Sequence, residues 1–179
     1  MNNDEKPEYV LRAEEFLDNL SGLSRGDKAI LRRNAGNTIG ESRGAIPTFY
    51  RVLPPGVAGG YNEELYFLVA TLYALNEYRG SGNFGETMLA VRKKRSENID
   101  NRMSVLLDSE FDKIDGYQPG GGELAYRLRQ CVKLAESEEE GVDWVQLIND
   151  LEFWTRPSKR VQKRWANSYF GHVPSSNEN

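Results

Sequence analysis

A chain of 179 residues with 39% hydrophobic, 28% charged and 11% aromatic residues fits one domain, or two small halves sharing a core, and excludes wholesale disorder. No apolar run nears the roughly 20 residues that span a bilayer, and the N-terminus lacks the basic-then-apolar layout of a secretion signal, so a cytoplasmic protein is expected. A single cysteine, Cys131, excludes an internal disulfide, a single histidine, His172, excludes a His-rich metal site, and a formal net charge of -4 argues against a polyanionic partner.

The hydrophobic period is helical almost throughout. Residues 8–20 place Val10, Ala13, Phe16, Leu17 and Leu20 on one face. Ser24 and Asp27 stand at capping-box spacing before a short helix closing at Gly36, whose apolar side (Ile30, Leu31, Ala35) leaves Arg32 and Arg33 to solvent. Pro47 suits the first turn of a segment carrying Phe49, Tyr50 and Leu53, stopped by Pro54-Pro55. Residues 62–78 are apolar nearly all round, the signature of a central buried helix. Asn83 and Glu86 form a second capping box, for a helix ending in Arg92-Lys93-Lys94-Arg95, and another helix is expected over about 97–108.

Gly116 to Gly122 is the clearest break in the pattern and reads as a Gly/Pro-rich hinge. Beyond it, residues 123–136 place Leu124, Leu128, Cys131 and Ala135 in phase. Asp143 with Gln146 caps a helix striped by Trp144, Leu147, Ile148, Leu151 and Trp154, and Pro157 opens the last helix, which runs to about Phe170. With no alternating strands, the fold class expected is all-α, a two-part helical bundle with no substantial β-sheet. Its parts are an N-terminal half (1–115), the hinge (116–122), a C-terminal half (123–171) and a polar, frayed tail (172–179).

Three constellations resemble chemistry. Gly80-Ser81-Gly82-Asn83-Phe84-Gly85 matches the dinucleotide-binding string, yet it follows a helix where that site requires a strand, so an interhelical turn is expected. Asp108, Glu110, Asp112 and Asp115 are an acidic group, but Lys113 stands where an EF-hand needs glycine, so a solvated turn is the better reading. Cys131 falls on an apolar phase and His172 in a polar tail, so neither suggests a nucleophile or base. No catalytic residue, metal or cofactor is expected.

The cations are different, because they cluster along the chain. Four windows (25–51, 92–102, 127–133 and 156–164) hold 19 of the 23 Lys and Arg but only Asp27, Glu41, Glu97 and Asp100. Their net charge is +15 against -19 for the remainder, which includes the acidic run Glu136 to Glu140. A segregated distribution of this kind presents a basic surface whatever the total charge. On the last helix Arg160, Lys163, Arg164 and Asn167 share a sector beside the apolar Val161, Trp165 and Tyr169. Arg156 extends that row if the backbone continues the turn. Arg129 and Lys133 share a face, with Arg127 roughly opposite Arg129. Such faces suit phosphate contacts that carry no sequence readout.

In order along the chain, Gly26 to Arg33, Phe49 to Pro54, the Gly80–Gly85 turn, Tyr126 to Gln130, Val142 to Leu147, Leu151 to Trp154 and Val161 to Tyr169 are similar to the small subunit of the type I-E CRISPR surveillance complex Cascade, the CasB family. The resemblance spans roughly residues 20–171. It implies an all-helical, non-catalytic subunit present in two copies, in contact with the repeated backbone subunits and the large subunit. It further implies that the protein supports guide RNA pairing with target DNA and lines a path for the displaced strand. The matching positions for the nucleic-acid face are Arg32, Arg33, Arg51, Arg127, Arg129, Lys163 and Arg164, to which the helix geometry adds Lys133 and Arg160. Two rivals remain, a structural spacer whose basic face meets acidic proteins and a metal-dependent nuclease using the acidic group at 108–115.

Overall fold

The computed structural model describes residues 5–171; His172 and the polar tail lie outside the described residues. Among the described residues nine helices and one small hairpin occur in the order α1 (Glu8–Ser21), α2 (Arg25–Arg33), α3 (Ile46–Val52), α4 (Glu63–Leu75), α5 (Phe84–Lys94), α6 (Asp100–Asp108), β1 (Asp112–Ile114), β2 (Gln118–Gly120), α7 (Gly122–Ser137), α8 (Trp144–Glu152) and α9 (Arg160–Phe170). The all-α expectation holds.

α4 is the axis. Every residue from Glu64 to Ala74 is buried, and the helix packs against α2, α7, α8 and β2. A helix apolar on all sides can be satisfied only by such an enclosing shell. Each fully buried leucine or phenylalanine here, Leu65, Phe67, Leu68 and Leu72 among them, contributes roughly 1.5–3 kcal/mol by leaving water. Around this axis α1 lies on α8 and α3, α5 on α9 and α7, and α6 on α7 and α9. The buried side chains form one hydrophobic cluster, from Phe16 and Phe49 through Phe67 to Leu128, Trp144 and Trp165.

The local signals act largely as the sequence implies. Ser24 Oγ accepts from the Asp27 backbone N–H at 3.1 Å, opening α2. Asn83 and Glu86 complete a reciprocal capping box at α5, and Asp143 accepts from the Gln146 N–H at 3.0 Å at α8. Pro47 occupies the first turn of α3.

Two segments differ from the sequence reading. Residues 112–120 form an antiparallel hairpin pairing Asp112 with Gly120, Lys113 with Pro119 and Ile114 with Gln118. The stretch read as a hinge therefore supplies the return strand, whose three residues are buried against α4. Its Gln118 side chain donates to the Gly60 carbonyl at 2.9 Å. Three-residue strands are too short to show alternation, and Pro119 and the glycines mask their propensity.

The last helix begins at Arg160, because Lys159 adopts a left-handed conformation (φ 52°) and Pro157 sits in the preceding turn. Arg156 therefore does not extend the helical row of Arg160, Lys163, Arg164 and Asn167, all four of which lie on α9.

The glycines of the Gly80–Gly85 string have packing roles. Gly80 lies against the Gly141 backbone, where residues 79 and 142 form a bridge, and Gly85 lies against the Trp165 backbone of α9. A β-carbon at either position would collide with main chain, which cannot rotate away. The string is an interhelical turn, as its context predicts.

Candidate nucleic-acid interface

The predicted cations fall into three environments. At α2, Arg32 donates through Nε to the Ala74 carbonyl at the end of α4 (2.8 Å), and its side chain borders a surface depression with Leu75, Glu77, Tyr78 and Glu136. Arg33 is exposed and has no carboxylate partner among the described residues. Arg51 on α3 is held by Asp27 (2.8 Å) and Thr48 (3.2 Å). The Ser24, Thr48 and Arg51 hydrogen bonds together hold the Asp27 carboxyl below its ordinary value, outweighing a desolvation that pushes the other way.

The second environment is the surface between α6 and α7. Arg102 of α6 meets Arg129 and Lys133 of α7 in a cleft that Arg95, from the end of α5, also borders. Arg102 and Arg127 border an adjoining depression with Asn101 and Gln130. Arg127 pairs with Glu123 one turn back at 3.4 Å and lies 5.4 Å over the Tyr126 ring. The Arg129 stem packs on Gly36, so that a β-carbon there would stand 2.9 Å from Arg129 Cδ. This contact joins α7 to the turn after α2, and it leaves the buried Arg129 Nε without a partner among the described residues. Lys133 is exposed and unpaired there.

The third environment is the start of α9. Val161, Trp165 and Tyr169 are buried while Arg160, Lys163 and Arg164 face outward, as the helical phase requires. Arg156, Arg160 and Arg164 line a cleft of about 440 Å³ with Phe153, Ser158 and Val161. Arg164 is anchored: its guanidinium donates to Asp150, a buried carboxylate that also accepts from Trp165 Nε1 (2.7 Å) and Gln146 Nε2 (2.8 Å). Arg160 and Lys163 have no carboxylate within ion-pair distance among the described residues.

Two features were missed by the sequence reading. Arg102 joins the α7 cations across a helix–helix contact that no periodicity within one helix can reveal. The acidic run at 136–140 is also engaged: Glu140 pairs with Lys94 at 2.7 Å, Glu138 pairs with Arg95 at 2.7 Å, and the Glu138 carbonyl accepts from Lys94 at 2.8 Å. These bonds raise the Lys94 and Arg95 pKa values, mainly through the Glu140 bond for Lys94 and the Glu97 and Glu138 bonds for Arg95.

The acidic group at 108–115 is dispersed. Glu110 pairs with Lys159, and no group of three or more His, Cys, Asp or Glu side chains that could hold a metal occurs among the described residues. Cys131 is buried and its thiol is pushed up to about 12 by desolvation, which suits a packing residue. No helix among the described residues is long and apolar enough to cross a membrane.

The model of a family described as CRISPR-associated protein Cse2 matches residues 27–170. The chain belongs to the Cse2 family. A Cse2 protein of Thermus thermophilus is 33% identical over 174 residues, covering 92% of this chain and 94% of its own length. A crystal structure of a Cse2-family protein from the same organism superposes with a TM-score of 0.68 at 29% identity, covering 89% of this chain and 97% of that one. CasB from M. ruber gives 0.67 at 25% identity, covering 90% and 94%. The expected CasB assignment is therefore met. A chain of a CRISPR RNA-guided surveillance complex shares the fold, with a TM-score of 0.68 at 21% identity over 90% of this chain and 92% of that one.

Proposed function

We propose that this Cse2-family chain is a non-catalytic small subunit of a type I-E CRISPR surveillance complex that binds nucleic acid through phosphate contacts. In this reading it sits beside the repeated backbone and large subunits with a second copy of itself. It steadies guide RNA on target DNA and lines the path of the displaced strand. The observation that carries the reading is a group of cations without internal carboxylate partners among the described residues, the exposed Arg33, Lys133, Arg160 and Lys163 and the half-buried Arg129, in a member of this family. Where base pairing reads the sequence, the protein needs only backbone contacts and shape, which cations of this kind supply.

Lys133 and Lys163 are the cleanest probes, being exposed and free of structural bonds among the described residues. In the assembled complex, Lys133→Gln combined with Lys163→Gln should weaken target binding. The slope of log affinity against log salt should fall by about 0.7–0.9 for each phosphate no longer neutralised. Unchanged affinity and slope would place the nucleic-acid face elsewhere. A structural spacer is favoured instead if the complex assembles normally while the full chain fails to shift random-sequence DNA or RNA at low salt.

A further inference from the structure

The cleft formed by the α8–α9 connection and the start of α9 differs in kind from the other cationic surface. The α6–α7 cleft offers Arg95, Arg102, Arg129 and Lys133 with no aromatic side chain on its walls. The α8–α9 cleft adds Phe153, which remains 39% exposed although its neighbour Trp154 is fully buried. Phe153 meets Tyr9 of α1 edge-on at 6.4 Å, and the Arg156 guanidinium lies 5.0 Å over its ring. An exposed aromatic ring carrying a planar cation, beside further guanidinium groups and no carboxylate on the cleft wall, is a stacking element next to a phosphate site.

We propose that this cleft is a single-nucleotide subsite for an unpaired strand, an inference that rests on the nucleic-acid reading above and narrows it to single-stranded ligand. The base stacks on the Phe153–Arg156 pair, and its flanking phosphates meet Arg160 and Arg164. Duplex bases are already stacked on one another and offer no free face, whereas each base of a single strand does. The cleft's volume of about 440 Å³ lies within the range that holds small ligands. Asp150 fixes Arg164 beforehand, so little side-chain freedom is lost when a phosphate arrives. The first turn of α9 adds a positive helix end with no acidic residue in it.

The test uses the full chain at low salt, with binding to labelled oligo-dT and to a hairpin duplex read by fluorescence anisotropy. The native protein should prefer the single strand. Phe153→Leu should weaken oligo-dT binding by about tenfold, within the range measured for a single base–aromatic stack. It should leave duplex binding and the salt slope unchanged, because it removes no charge, and Phe153→Tyr should restore affinity. Arg160→Gln should instead lower the slope by about 0.7. If Phe153→Leu binds oligo-dT like the native protein while Arg160→Gln weakens it, the stacking subsite is overturned and phosphate binding stands. If the native chain binds neither strand form, the nucleic-acid reading falls with it.

Discussion

Arg164 and Lys163 are adjacent, both outward and both cationic, but their chemistry differs. Lys163 projects without a carboxylate partner among the described residues, while Arg164 neutralises Asp150, which is only 2% exposed and holds Trp165 and Gln146 as well. Removing the cation that faces a buried carboxylate leaves its charge less compensated, so Arg164→Ala should cost about 1–2 kcal/mol, below the range of a fully buried pair because half of the Arg164 side chain meets solvent and two other donors remain on Asp150. Lys163→Ala should cost less than about 0.5 kcal/mol. Denaturant titration of both variants checks this, and equal stabilities would show that the Asp150 pair has no structural weight. Loss of nucleic-acid binding in an Arg164 variant therefore has to be read together with its stability. The outward face of α9 was legible, since Val161, Trp165 and Tyr169 fix the inward one. The Asp150 partnership was not: it joins residues fourteen apart on two helices, and only the packing angle brings them together.

At the scale of the elements, capping residues were the most reliable signals, because a side chain that satisfies an N–H three positions on acts within its own turn. Signals that depend on a distant neighbour failed. The hairpin at 112–120 is stabilised by burial against α4, which its own composition does not announce. The opening of α9 was placed too early, because proline permits a helix start without requiring one. The contact of α5 with α9 also gives a sharp test. Gly85→Ala would drive a β-carbon into the Trp165 backbone and should destabilise the protein by about 1–3 kcal/mol, seen as a lowered Tm. An unchanged Tm would mean that the two helices can separate without cost.

For the molecule as a whole, the charge segregation seen along the chain is partly undone by folding. The basic end of α5 lies on the acidic residues Glu138 and Glu140, so the window at 92–102 is largely neutralised locally, whereas Arg33 of α2, Arg129 and Lys133 of α7, and Arg160 and Lys163 of α9 have no ion-pair partner among the described residues. Global stability should also depend on pH through Glu64. Burial is the main cause that raises its pKa above the ordinary 4.5, with Glu63, Glu41 and Asp115 adding to it and the Ile39 N–H opposing. A raised carboxyl favours the folded state when protonated. That contribution is complete below pH 4.5 and is lost as pH rises through the folded value. Glu64→Gln should therefore raise Tm at about pH 7, with the gain shrinking towards about pH 4. A gain independent of pH would point to a cause other than titration. Because one hydrophobic cluster spans both sides of residues 116–122, thermal unfolding followed by far-UV circular dichroism should show one transition.

The three tryptophans extend that last point. Trp144, Trp154 and Trp165 are all buried, and all lie in the final third of the chain. Trp154 and Trp165 stand 4.9 Å apart, and Phe84 is 5.3 Å from Trp165. The protein thus carries an optical reporter confined to its C-terminal helices, while circular dichroism weighs the backbone everywhere. Emission and ellipticity curves that coincide on heating would mean that the N-terminal helices melt together with the helices bearing the indoles. An emission curve displaced from the ellipticity curve would reveal a boundary that no label needs to be attached to find.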